Sequence, residues 1–215
     1  NLKREAAVEK DPAVQSEIIY EKVNPETGEI VGATATVNHG SVFAGWYNDL
    51  TKENVETSKT FVPQRQQDGR YVSASYVAYF RPQRYTLAFD ANGGVGEMEP
   101  QTFEHGQILP LNEYRFSRDG YDFVGWALSE NGEKQFSDKA EVQFTNLVSL
   151  ERELEDGDRA TLYAVWQERD VTLNYVSSDE SLGTVTAGSE TIRAVNGKPT
   201  GSTAQAKSGA KFDGW

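Results

Sequence analysis

Apolar and polar residues alternate in short runs along this chain, and most runs close on Gly, Pro, Asn or Asp, the pattern of strands and turns rather than of long helices. Ile18, Ile19 and Tyr20 open the first run, and Asn24-Pro25-Glu26-Thr27-Gly28 supplies a turn in which proline presets φ and glycine permits φ above zero. Residues 30–37 read as the returning strand, 42–47 as a strand with Gly45 beside two large rings, and 71–80 as a long strand rich in Tyr and Val. The order then recurs with a longer middle. It runs through a strand over 85–90, a turn at Ala91-Asn92-Gly93-Gly94, a strand over 99–107 and an apolar stretch over 108–118, where Pro110 suits the start of a short crossover helix. A strand over 121–128, a hairpin turn at Asn131-Gly132, a helical turn within 142–154 and a strand over 161–166 complete it. A third start appears at Val171, Leu173 and Tyr175, turning at Ser178-Asp179-Glu180.

One pattern ties the three together. G-x-x-F-x-G-W occurs at Gly40/Phe43/Gly45/Trp46, at Gly120/Phe123/Gly125/Trp126 and at Gly209/Phe212/Gly214/Trp215. The tryptophans lie 80 and 89 residues apart, which is domain spacing and not the short period of a solenoid. The expected organisation is a linker over 1–15, then repeats over 16–80, 84–167 and 170–215, joined by short connectors of which the first, 80–84, is stiffened by Pro82. Residues 75–80 and 161–166 correspond to each other as closing strands. Neither alternates, so each is expected in the middle of its sheet, buried on both faces. The third repeat reaches its motif without such a strand and is expected to be incomplete, with unpaired backbone at 171–175 and at its motif.

The second repeat resembles a Listeria-Bacteroides repeat, the B-repeat of internalin B and other bacterial surface proteins. The resemblance rests on Tyr85-Thr86-Leu87-Ala88-Phe89-Asp90-Ala91-Asn92-Gly93-Gly94, on Gly120-Tyr121-Asp122-Phe123-Val124-Gly125-Trp126 and on Thr161-Leu162-Tyr163-Ala164-Val165-Trp166. It implies an α+β, mostly β architecture of tandem small β-grasp-like domains, each a mixed sheet crossed by a helix, in an elongated array. It also implies an extracellular location on the bacterial surface or wall, in keeping with Gram-positive exported proteins, and no catalytic activity. The first repeat has little room between its second strand and Gly40 for a crossover helix.

Charge narrows the partners. With 33 Asp and Glu against 21 Lys and Arg the net charge is -12, which opposes nucleic-acid phosphates and anionic lipid. No apolar run is long enough to span a bilayer. The absence of cysteine excludes disulfides, thiolate metal sites and a thiol nucleophile. The chain opens at Asn1 without initiator methionine or signal peptide, as expected of a piece of something longer or already processed.

The six motif aromatics, Phe43, Trp46, Phe123, Trp126, Phe212 and Trp215, could stack on sugar rings, but their repetition in every unit favours a shared core. His39 and His105 each precede a glycine in a turn and read as exposed loop residues, with no second His or Cys standing near to complete a transition-metal set. Glu151, Glu153, Glu155, Asp156 and Asp158 could gather oxygen ligands for Ca2+, yet they do not follow the EF-hand pattern and read as a solvated acidic loop. No catalytic residues, cofactor or metal ligands are nominated. The favoured function is a non-catalytic spacer or adhesion module, touching a protein of a host or neighbouring cell. The alternative is a carbohydrate-binding accessory of a secreted enzyme, with a glycan as partner.

Overall fold

Strands dominate, and the computed structural model describes residues 9–10, 17–18, 21–148 and 152–215 as mostly β. The linker expected over 1–15, apart from the backbone of Glu9–Lys10, lies outside the described residues, as do Ile19, Tyr20 and Glu151. The chain divides into two compact units. Unit 1 is Asn1–Arg84 with Glu104–Gly106 and Glu153–Gly157, and unit 2 is Tyr85–Phe103, Gln107–Arg152 and Asp158–Trp215.

Unit 1 contains β1 (Glu9–Lys10), β2 (Glu17–Ile18), β3 (Ala33–Thr34), β4 (Ser41–Asn48), β5 (Asn54–Glu56), β6 (Thr60–Phe61) and β7 (Tyr76–Pro82). Its main sheet has the order β5-β4-β7, all antiparallel, and β1 pairs with β2 and β3 with β6. Among the described residues the motif strand β4 is therefore central and β7 has β4 as its partner. Among the described residues of unit 1 no strand lies on the second edge of β7, and of the segment expected to open this repeat Ile19 and Tyr20 lie outside those residues. Val77, Tyr79 and Phe80 are 37–45 % exposed.

Unit 2 holds most of β8 (Arg84–Asp90) and β9 (Gln101–Glu104), then β10 (Ile108–Pro110), β11 (Tyr121–Ala127), β12 (Glu141–Gln143) and β13 (Arg159–Glu168). There the order is β11-β13-β8-β9, with β13 antiparallel to β11 and parallel to β8. The closing strand of this repeat is interior to its sheet, as its composition predicts. Ala160, Leu162 and Ala164 are buried on one face and their alternates are half-buried on the other. Tyr85, Leu87, Phe103, Leu111, Val142, Phe144 and Leu147 complete the core, and the Tyr85 and Phe144 rings stack 4.7 Å apart.

No α-helix occurs among the described residues, which corrects the expected crossover helix and the α part of the fold class. Residues 108–110 pair instead as β10 with β12, because Leu109 and Leu111 keep period two. The amides that follow find side-chain acceptors: Asn112 N–H donates to Gln101 Oε1 at 3.0 Å and Tyr114 N–H to Asp138 Oδ1 at 3.0 Å. The expected helical turn is a 3-10 turn over Phe144–Leu147. The third repeat supplies β14 (Asp170–Asn174), β15 (Gly183–Val185), β16 (Ser189–Arg193) and β17 (Ala204–Ala206), paired as β14-β16 and β15-β17. None of residues 170–215 is buried.

Within the motif, Phe and Trp stand three residues apart, so a regular strand would point them to opposite faces. A bulge prevents this. The β4–β7 register slips between Phe43↔Phe80 and Gly45↔Tyr79, and the β11–β13 register slips between Phe123↔Trp166 and Gly125↔Val165. The extra residue returns the Trp to the Phe side, and the rings meet edge to face at 6.1 Å in unit 1 and 4.9 Å in unit 2. Gly45 and Gly125 make the bulge with φ of 135° and 146°, and a Cβ at Gly125 would strike Phe136 O.

Two outcomes follow in chemical denaturation of the whole chain. Gly125→Ala lowers the stability of unit 2 by about 1–3 kcal/mol, whereas Gly188→Ala, whose Cβ meets open space, stays within about 0.5 kcal/mol. Trp126→Ala, removing a wholly buried ring, costs about 3–5 kcal/mol. Equal, small effects at Gly125 and Gly188 would remove the bulge from the argument.

Candidate functional site

Each motif strand begins at a glycine in the left-handed region, Gly40 at 75° and Gly120 at 79°. The carbonyl of that glycine accepts the next rung of the ladder from the residue that leaves the closing strand. Gln83 N–H donates to Gly40 O at 2.8 Å, and Arg169 N–H donates to Gly120 O at 2.8 Å. The carbonyl of each leaving residue is then bonded in turn. His105 N–H donates to Gln83 O at 2.9 Å, and Ala194 N–H donates to Arg169 O at 2.8 Å. The glycine itself is covered: a Cβ on Gly40 would enter the His105 ring, and one on Gly120 would enter the Val195 side chain. The same connector is thus built twice, once within unit 1 and once within unit 2.

Carboxylates lock both copies. Asp156 takes Arg81 in a bidentate pair, both bonds 2.7 Å, and accepts Arg84 N–H at 2.9 Å, while Gly157 N–H donates to Arg84 O at 2.7 Å. All four backbone groups of Gln83 and Arg84 are thereby paired. The Arg81 guanidinium, then the Arg84 amide, holds the Asp156 carboxyl down at about 2. In the second connector Glu168 accepts Val195 N–H and Asn196 N–H at 2.6 Å each and Asn196 Nδ2 at 3.0 Å. Those bonds, led by the Asn196 amide, lower its pKa. Arg193 closes the loop on Glu168 O at 2.8 Å.

The structure places the motif aromatics unevenly. Trp126 is wholly buried among Phe89, Phe116 and Phe123, Trp46 is 8 % exposed, and Phe43 and Phe123 are half-buried. Phe212 and Trp215 are 46 % and 70 % exposed, with Tyr175 6.0 Å from Trp215. Gly209 and Gly214 still hold φ of 83° and 157°, but nothing lies within 4 Å of a Cβ built on either.

Chemistry at other positions is sparse. Asp156 is engaged by Arg81, and Asp158 accepts Arg152 at 2.7 and 3.0 Å, so these two carboxylates face guanidinium groups. Among the described residues no group of three or more His, Cys, Asp and Glu could hold a metal ion, and every lysine is exposed. The two histidines, 66 residues apart in sequence, do meet in unit 1, with ring centroids 4.9 Å apart. That corrects the reading of each as isolated. Sequence reasoning also missed Gln83 and Arg169, although each follows the last ring of its closing strand, Phe80 or Trp166, by three residues.

Comparison with protein-family models matches residues 85–150 to the Listeria-Bacteroides repeat domain and residues 8–79 to the divergent InlB B-repeat domain. The chain carries B-repeat domains. Domains of this kind are found on extracellular bacterial surface proteins, and no catalytic family is indicated. Comparison with curated proteins and with solved structures finds no match. No helix among the described residues is long and apolar enough to cross a membrane.

The acid side of the pH profile tests the first connector. Asp156 has its folded pKa below the ordinary 3.8, so its contribution is whole above about pH 4 and is lost as the pH falls through about 2. Asp156→Asn is expected to lower the melting temperature at pH 7 and to leave less of it to lose between pH 4 and 2. A variant whose melting temperature falls in parallel with the parent over that window would contradict the assignment.

Proposed function

We propose that these B-repeats form a non-catalytic spacer that carries an adhesive or binding region away from a bacterial cell surface. The repeats are read as tandem small β-grasp-like domains over 16–80, 84–167 and 170–215, in an elongated array whose own surface can touch a host or neighbouring-cell protein. The observation that carries this reading is the duplicated connector. A spacer needs the step between repeats to be reproducible, and hydrogen-bonding both sides of a connecting residue removes the torsional freedom that a flexible linker retains. The family supports reading its location as outside the cell, on the surface or in the wall.

Substitution at the connector glycine tests it. Gly120→Val displaces Val195 and opens the second connector while leaving the Trp126 core in place. Amide exchange at Arg169 and Ala194 is expected to quicken, and small-angle scattering of the parent to give an extended profile that broadens in the variant. A compact parent profile, or one unchanged by the substitution, would defeat the spacer reading.

One observation favours a second reading, contact with a glycan. Ala44, Tyr47, Lys52, Tyr79 and Phe80 line an open cleft of about 390 Å³ on unit 1, with Tyr47 and Tyr79 edge to face at 4.9 Å. Lys52 lies at its rim, paired with Asp49 at 2.7 Å, offering both donors and acceptors to hydroxyls. Polysaccharide pull-down that is lost in Tyr79→Ala, with the melting temperature retained, is the outcome that reading requires. Binding indifferent to Tyr79 would dismiss the cleft.

A further inference from the structure

His39 and His105 are the two histidines of the chain, and the first connector brings them together by its backbone. Gly40, next to His39, accepts from Gln83, and Gln83 accepts from His105 N–H, so two main-chain bonds set the separation of the rings. The His105 ring rests on Gly40, where any Cβ would collide with it. The second connector repeats the backbone with Asp119 and Ala194 at the corresponding places, so the imidazole pair is not demanded by the connector.

We propose that His39 and His105 form a two-imidazole site for a divalent transition-metal ion, with Zn2+ as its representative. A tetrahedral ion about 2.0–2.1 Å from one nitrogen of each ring places the ring centres about 5 Å apart. The observed separation is 4.9 Å, with the ring planes at 79°. Imidazole nitrogen suits Zn2+, Ni2+ and Cu2+ and not Mg2+ or Ca2+, which take oxygen. The nearby arginines are already matched, Arg81 by Asp156 and Arg84 by Glu104, and the whole chain carries -12, so the field does not repel a cation. No third protein ligand converges among the described residues, and water completes the shell, which makes the site one of modest affinity. A bound ion cross-links the turn at 39–40 to the loop at 104–106 and so stiffens the first connector alone.

The test is calorimetric titration of the full chain with Zn2+ in excess Mg2+, which occupies carboxylate sites, followed by NMR of the imidazole ring protons. One saturable equivalent is expected, shifting both histidines, raising the melting temperature, and lost in His39→Asn and in His105→Asn separately. His39 is exposed on a turn, so its variant folds and decides the matter even if the His105 variant does not. Zn2+ uptake that survives loss of His39, uptake displaced by Mg2+, or no saturable uptake at all would each overturn the proposal.

Discussion

The bulge at the second glycine of the motif is the constraint on which the cores of the first two repeats depend. Without it, Phe and Trp three residues apart would straddle the sheet, and one large ring would face solvent in a fold with few rings to spare. With it, Phe123 and Trp126 meet on one face, where Phe89 and Phe116 close over the indole. The glycine is required twice over, by a φ that other residues resist and by neighbours that leave no room for a Cβ. In unit 1 the same bulge gathers Phe43, Trp46 and Phe80, but Ala35 and Trp46 are its only buried hydrophobic residues among those described. Among the described residues the two sheets differ in the strand beyond the closing strand. β8 covers β13 in unit 2, and nothing described does so for β7.

Much of this was legible in the chain. The three motifs, the turn residues, the interior place of 161–166 and the B-repeat resemblance all follow from residue type and spacing, because short-range turn chemistry and period-two patterning act locally. What failed was non-local. Which segment lies beside β7 is a matter of distant chain, and apolar composition alone does not name it. The crossover helix failed because Pro110 starts helices and ends strands equally well, and the amides after it are satisfied by Gln101 and Asp138, residues distant in sequence. The histidine pair was illegible for the same reason: two turns 66 residues apart meet only through Gln83.

The third motif separates what is local from what is not. Gly209 and Gly214 keep φ values close to those of their counterparts, and Phe212 and Trp215 hold an edge-to-face contact at 5.6 Å, although no strand pairs with residues 209–215 among the described residues. Backbone conformation and ring pairing are thus written into the seven residues themselves. Burial is not, since both rings stay substantially exposed. The motif supplies a shape, and a closing strand supplies the core.

The two glycines of the motif therefore answer to different neighbours. The second, Gly45 or Gly125, meets atoms of its own hairpin, Asn54 and Glu56 in one case and Lys134 and Phe136 in the other. The first, Gly40 or Gly120, meets a residue that lies beyond the closing strand in sequence, His105 or Val195, and hands its carbonyl to the connector. A single short pattern encodes both the interior of a repeat and the backbone bonds of the connector that follows it. At Gly40 and Gly120 this explains why glycine stands where a left-handed turn alone could be met by asparagine: asparagine carries a Cβ, and the space where that atom would go is already filled.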